Sequence, residues 1–320
     1  MKIFFLTLLL FLTSCLPRGG IRTFTVTTYN VSAFFDAYEG GTEFDGYSHS
    51  DGYDGERYDE RVREMAILIG RNLASSDLII LQEVESRAVL SDLLEKGLSL
   101  KGFSYYGIAE EDGNLAVGFI SKIKPSDVSI HKMPGHRAIL ELSFYLDGDP
   151  ITVYGLHFRS RLDGGAEERV EETRYLSTLL SGNESLAVAS GDFNLDPEGE
   201  GEAIGLFPDG YPDSHALYVS GNPDKAGRNI YFAPSLDEEL VFSEEGTHEY
   251  QGEWYFYDMH LLSEECWDGM GWEYESAWIT AEPIMKDELG RPYDYDPSNG
   301  RGYSDHFPFT VRLVKKHDSY

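Results

Sequence analysis

Between residues 22 and 31 apolar and polar side chains alternate and β-branched residues are frequent, the pattern of a half-buried strand. Over 61–73 the period changes: Val62, Met65, Ala66, Ile69 and Leu73 recur at helical spacing. A short apolar run at 78–82 suits a strand covered on both faces. A helix is predicted over 88–95, and strands over 115–121 and 138–146. Further strands are predicted over 151–156, 186–190, 255–263 and 309–314. Residues 166–180 form a helix that opens on Glu167 and Glu168, the charge its positive end favours. No Pro-, Gly- or Ser-rich linker divides the chain after residue 22. The pattern therefore predicts one α/β domain, 23–316, with two helix-covered sheets.

Two stretches escape the periodicities. The segment 40–55 is rich in Gly, Tyr and Asp, but Asp45, Asp51 and Asp54 do not have calcium-loop spacing, so a solvated loop is expected. The segment 287–302 is a long loop, expected to wall a substrate cleft. Trp267, Trp272 and Trp278 are read as core packing.

The first residues form an address. Lys2 precedes an apolar stretch at 3–12 that is too short to span a bilayer. Leu12-Thr13-Ser14-Cys15 resembles the bacterial lipoprotein signal, which implies cleavage after residue 14 and lipid on Cys15. Residues 1–14 are then a signal peptide and 15–22 a tether. The body is expected outside the cytoplasm, membrane-anchored through Cys15, or secreted if that signal is not used. The second cysteine, Cys266, leaves no basis for a disulfide framework or a thiolate zinc site.

The 320 residues include 26 Lys plus Arg against 56 Asp plus Glu, a net charge of −30. That excludes tight duplex binding by broad charge neutralisation, which needs clustered cations facing phosphates. With 41% apolar residues and 13% aromatics the chain is nonetheless a folding sequence.

The chemistry stands at strand ends. The first strand ends in Tyr29-Asn30, the second in Leu81-Gln82-Glu83, and the strand from 151 runs into Leu156-His157. The strand from 186 ends in Gly191-Asp192-Phe193-Asn194, and the last is entered through Ser304-Asp305-His306-Phe307-Pro308. Ligand sites of α/β folds gather at strand carboxyl ends. Glu, Asp and Asn offer hard oxygens to Mg²⁺ or Mn²⁺, and Glu83 and Asp305 supply the one or two carboxylates that Mg²⁺ usually takes. The histidines suit phosphate or proton work.

This ordered set, with Gly155-Leu156-His157-Phe158-Arg159-Ser160 and Tyr257-Asp258, resembles the endonuclease/exonuclease/phosphatase superfamily across residues 28–308. Gly246-Thr247-His248-Glu249-Tyr250 is similar to a segment of predicted extracellular nucleases in it. The resemblance implies a four-layer sandwich, two mixed central sheets packed face to face with helices outside. It implies that Glu83 is the principal metal ligand, with Asn30 and Asp305 close to the metal. It implies that Asp192 orients or deprotonates the attacking water and that Asn194 holds a phosphate oxygen. It further implies that His306, oriented by Asp258, acts as base or as stabiliser of charge, and that His157 is a catalytic residue that contacts the phosphate and assists the leaving group. Leu156 stands where many members carry Asn, and Arg159 where many carry Lys. Arg137 is a candidate phosphate-facing guanidinium.

The expected activity is divalent-metal-dependent phosphodiester hydrolysis, foremost by an extracytoplasmic nuclease that binds DNA or RNA weakly. The alternatives are a phosphatase or phospholipase C-type enzyme acting on inositol phosphates or sphingomyelin, and a non-catalytic adhesin. No obligate protein partner is implied.

Overall fold

The computed structural model describes residues 22–110, 115–161, 164–195, 205–206, 217–225, 227 and 229–316. The lipoprotein-type segment with Cys15, and hence the predicted cleavage and all of the tether but Arg22, lies outside them.

In chain order the strands are β1 (Thr23–Phe34), β2 (Leu78–Val84), β3 (Tyr105–Ile108), β4 (Ala116–Ser121), β5 (Asp127–His131), β6 (Ile139–Leu146), β7 (Asp149–His157), β8 (Leu186–Asp192), β9 (Gly205–Leu206), β10 (Tyr218–Ser220), β11 (Ile230–Phe232), β12 (His248–Tyr250), β13 (Glu253–Tyr255), β14 (Asp258–Leu262), β15 (Trp272–Ile279) and β16 (Phe309–Lys315). The helices are α1 (Gly55–Asn72), α2 (Arg87–Glu95) and α3 (Ala166–Ser181). One sheet runs β15-β16-β1-β2-β4-β3 and the other β5-β6-β7-β8-β14-β11-β10-β9, while β12 and β13 pair as a hairpin.

Side-chain parity builds the layers. Phe24 and Val26 of β1, with Leu78 and Ile80 of β2, meet Ile151 and Val153 of β7 and Val188 of β8 in one core between the sheets. The opposite parity, Tyr29 and Val31 with Ile79 and Leu81, packs against Val62, Met65 and Ile69 of α1 and Leu90 of α2. On the second sheet Tyr154, Leu156, Ala187 and Ala189 pack against Leu176 and Leu180 of α3. The order helix–sheet–sheet–helix is the expected four-layer sandwich.

Four details differ from the sequence reading. Helix α1 starts at Gly55 rather than 61, because the Asp54 side chain caps it, accepting from the N–H groups of Glu56 and Arg57 at 3.0 and 3.1 Å. The segment 40–55 is more than a solvated loop, since Tyr47 and Tyr53 enter the core and pack edge-on at 5.0 Å. The strand expected over 255–263 is two strands, β13 and β14. The peptide at Thr247 donates to the Tyr255 carbonyl at 2.9 Å and draws β13 into the hairpin. The short strands β3 and β5 carry too few alternating positions to stand out in sequence. Of the three tryptophans expected in the core, only Trp272 is buried there; Trp267 is exposed and packs one face on Phe232 and Tyr274, and the half-buried Trp278 lies under the Arg312 guanidinium at 4.9 Å.

Topology decides where strands end together. β1 and β2 are parallel, as are β7 and β8. β14 runs antiparallel to β8, with Asp258 opposite Asp192, and β16 runs antiparallel to β1, with Phe309 opposite Thr28. The beginnings of β14 and β16 therefore meet the carboxyl ends of the parallel strands.

Candidate active site

The same parity that fills the inter-sheet core carries polar residues at its open end. Along β1 the face of Phe24 and Val26 continues to Thr28 and Asn30. Along β7 the face of Ile151 and Val153 continues to His157. Along β8 the face of Val188 continues to Asp192, and along β14 Asp258 shares the face of Leu262. Four site residues thus arrive by plain strand periodicity.

Glu83 arrives differently. Its φ of +63° is in the left-handed region, and the β1–β2 and β2–β4 registers both shift beside it. Ser32, Ala33 and Asn194 are also left-handed, with φ of 50°, 45° and 50°. Such backbone is unfavourable for residues other than glycine, and these four sit around one centre. The irregularity turns the Glu83 carboxylate into the site, where one oxygen accepts from Asn30 Nδ2 at 3.1 Å and the other from the Ala33 N–H at 2.6 Å.

The remaining groups form a continuous chain. Asn30 Nδ2 also donates to Asp192 Oδ2 at 3.0 Å, while the other Asp192 oxygen accepts from the Asn194 N–H at 2.9 Å. His157 Nε2 lies 3.6 Å from Asp192 Oδ2 and 3.9 Å from Glu83 Oε1. His306 Nε2 is 3.9 Å from Asp192 Oδ2, and its Nδ1 is held by Asp258 Oδ2 at 2.6 Å. Asp305 Oδ1 is 4.0 Å from His306 Nε2. Ser304 Oγ accepts from the His306 N–H at 3.0 Å and donates to the Asn30 carbonyl at 2.6 Å, which ties the last motif to the first.

Protonation follows from burial and neighbours. Burial raises the Asp192 carboxyl to about 7, with Asp258 adding to the rise and His306 opposing it. Burial also opposes charge on His306, but Asp258, Asp305 and Asp192 outweigh it and hold the imidazolium well above the ordinary histidine range. Burial pushes His157 well below that range, helped by Arg137 and His306, so His157 is neutral.

Eight sequence-predicted residues, Asn30, Glu83, His157, Asp192, Asn194, Asp258, Asp305 and His306, are gathered here. Asn194 Nδ2 donates to the Phe158 carbonyl at 3.2 Å. Arg137 is one step outside: its guanidinium donates to the same carbonyl at 3.3 Å from the wall of an adjoining 710 Å³ cleft with Lys132, His136 and Arg159. Asn30, expected beside a metal, meets the carboxylates as a donor, because its own oxygen accepts from the Ser32 N–H at 3.0 Å.

The donor chemistry fits a hard divalent cation. The carboxylates of Glu83 and Asp305 keep 23% and 41% of their side-chain surface open at the mouth, whereas those of Asp192 and Asp258 are enclosed. Asp305, His306 and His248 also bring ligand atoms within 4.8 Å of one another.

His248, to which the sequence pattern assigns no role, also reaches this centre. Its Nδ1–H donates to the Asp305 carbonyl at 2.9 Å, and its ring lies 4.5 Å from that of His306 and stacks on Tyr257 at 5.5 Å. The signal was the Gly246-Thr247-His248 run itself. The 287–302 loop braces the site from the side: Asp294 accepts from Ser32 Oγ at 2.8 Å.

The family model described as "Endonuclease/Exonuclease/phosphatase family" matches residues 25–315. D. rerio TDP2 complexed with single strand DNA product is similar at TM-score 0.56 and 14% identity, over 91% of this chain and 98% of that one. An endonuclease/exonuclease/phosphatase family protein from Bacteroides thetaiotaomicron is similar at TM-score 0.53 and 15% identity, over 94% and 99%. Staphylococcus aureus beta toxin is similar at TM-score 0.53 and 14% identity, over 90% and 99%. At these identities the likeness is one of fold. No curated protein matches the chain.

Proposed function

The chain belongs to the endonuclease/exonuclease/phosphatase family, whose members hydrolyse phosphoesters, and from that premise we propose that it is a divalent-metal-dependent phosphodiester hydrolase, an extracytoplasmic nuclease acting on DNA or RNA. The observation that carries the reading is the convergence of Glu83, Asp192 and the Asp258–His306 pair at one end of the two sheets.

Glu83 and Asp305 would hold Mg²⁺ or Mn²⁺, which when bound neutralises charge on the phosphate oxygens. Asp192, fixed by Asn30 and Asn194, orients a water and accepts its proton. Its affinity for a proton near neutrality matches that task. His306 keeps its own proton through Asp258 and therefore serves as a charged donor toward developing negative oxygen rather than as the base. Neutral His157, beside Asp192, and Asn194 contact the phosphate, and Arg137 meets the substrate further out.

Lipid on Cys15 anchors the enzyme outside the cytoplasm. Support for this is the short apolar stretch and the Leu-Thr-Ser-Cys run. Unchanged precursor under globomycin, with Cys15→Ser still membrane-bound, would reject the anchor.

The decisive experiment gives the purified protein plasmid, single-stranded DNA, RNA, sphingomyelin and inositol phosphates, each with Mg²⁺, Mn²⁺ or EDTA. Metal-dependent cleavage of nucleic acid is expected, and Glu83→Gln and His306→Ala should each lose roughly 10²–10⁴-fold. Turnover of sphingomyelin or inositol phosphates alone would refute the nuclease reading. Undiminished hydrolysis of bis(p-nitrophenyl) phosphate by both variants would refute the site.

A further inference from the structure

Arg61 is the one charged residue on the buried stripe of α1, among Tyr58, Val62, Met65, Leu68 and Ile69. It is 4% exposed. Its guanidinium lies over the Phe34 ring at 4.3 Å and the Tyr295 ring at 3.8 Å. Nη1 donates to the Ala33 carbonyl at 2.9 Å, and Nη2 donates to the Val31 and Ser32 carbonyls at 3.1 and 2.5 Å. Three successive carbonyls are gathered by one planar fork, a geometry an ammonium cannot reproduce.

Those carbonyls belong to the bulge near the end of β1 that holds Glu83. The Ala33 N–H meets one Glu83 oxygen, and the Ser32 N–H fixes the Asn30 amide that meets the other. Ser32 and Ala33 are both left-handed, a conformation that persists in such residues only where surrounding groups over-determine it. The helix itself does not need a cation here, since an apolar side chain would fill the stripe without burying charge.

We infer that Arg61 is a positioning residue for the metal site: by clamping the carbonyls of residues 31–33 it sets the bulge of β1 whose Ala33 N–H meets one oxygen of Glu83 and whose Ser32 N–H orients the Asn30 amide that meets the other. The inference rests on the reading of Glu83 as a metal ligand. Its reach is through backbone, so the guanidinium acts without touching metal or substrate. The same logic explains the docking of the 287–302 loop, because Tyr295 covers the outer face of the guanidinium and Asp294 takes the Ser32 hydroxyl.

The test is Mn²⁺ binding to the purified protein, measured without turnover by isothermal titration or by the free-Mn²⁺ electron paramagnetic resonance signal. Arg61→Met is expected to bind Mn²⁺ roughly 10–100-fold more weakly, the usual effect of losing a group that orients a ligand. Arg61→Lys should fall between it and wild type. In a Glu83→Gln background, Arg61→Met should add no further loss, because both changes act on one ligand. Tyr295→Leu leaves the guanidinium in place and should give a smaller loss. It and Arg61→Lys decide the matter if Arg61→Met does not melt cooperatively. Wild-type affinity in folded Arg61→Lys and Tyr295→Leu proteins, or fully additive losses in the double variant, would overturn the inference. Should Glu83→Gln itself bind Mn²⁺ as wild type does, the fault lies in the metal-site reading and the inference falls with it.

Discussion

His260 lies on β14 on the same face as Asp258 and is wholly buried. Its Nε2–H donates to the Phe309 carbonyl at 3.0 Å, and the ring packs on Phe309 at 5.2 Å. Nδ1 has no hydrogen-bond partner among the described residues. Burial pushes this imidazole down to about 4 from the ordinary 6.5, and the Phe309 carbonyl and Asp258 offset only part of that fall. Above pH 6.5 the ring is neutral folded and unfolded, so its titration is silent. As pH falls from 6.5 to 4 the unfolded chain takes up a proton that the folded chain refuses, and stability is lost; below 4 the loss is complete. At about 1.4 kcal/mol per pH unit, the 2.5-unit gap between 6.5 and about 4 is worth about 3 kcal/mol. That is a large share of a typical stability of about 5–15 kcal/mol. The assay is urea unfolding of wild type and His260→Gln at pH 7.5, 5.5 and 4.5. Gln retains a donor for Phe309 and does not titrate, so the difference between the two proteins removes the carboxylates that titrate in both. The wild-type advantage should shrink by about 2–3 kcal/mol across this range. A difference that stays constant to within about 0.5 kcal/mol would show that His260 exchanges protons freely when folded, and would refute the burial argument.

Three further outcomes are expected. Asp258→Asn removes the 2.6 Å partner that keeps His306 charged, so the alkaline loss of kcat/KM should begin at lower pH and the rate fall on the order of 10²–10³-fold; a pH–rate profile on bis(p-nitrophenyl) phosphate with an unmoved alkaline limb contradicts this. Gly191→Ala would place a methyl 2.0 Å from the Leu156 carbonyl oxygen between β7 and β8, and should lower stability by about 1–3 kcal/mol, read as a lower urea midpoint at equal slope. With a net charge of −30 the protein should hold DNA only weakly in EDTA and lose activity there, whereas nanomolar metal-independent affinity by fluorescence anisotropy would contradict the role given to the metal.

Much of the site is legible in sequence because strand parity is local. Asn30, His157 and Asp192 continue faces whose apolar members, Val26, Val153 and Val188, are visible four residues earlier. Arg61 leaves a trace too, as a charge on the Tyr58–Val62–Met65 stripe, but its purpose depends on a strand bulge some thirty residues away. His248 needs the hairpin to fold back before its ring can reach His306. The break between β13 and β14 depends on the Thr247 peptide, which no pattern within 255–263 contains.

The alternation of strands and helices, the acidic excess and the polar residues at strand ends can be read without a structure, since each depends on spacing within one element or on simple counting. The folded chain adds how the six segments meet: Glu83 leaves the pleat through a left-handed backbone, and Asn30 enters as a donor. It also decided the charges: burial and the crowding of Asp192, Asp258 and Asp305 give His306 a proton and deny one to His157. Solvent exclusion and distance across the chain set those states, and neither exists until the two sheets close on each other.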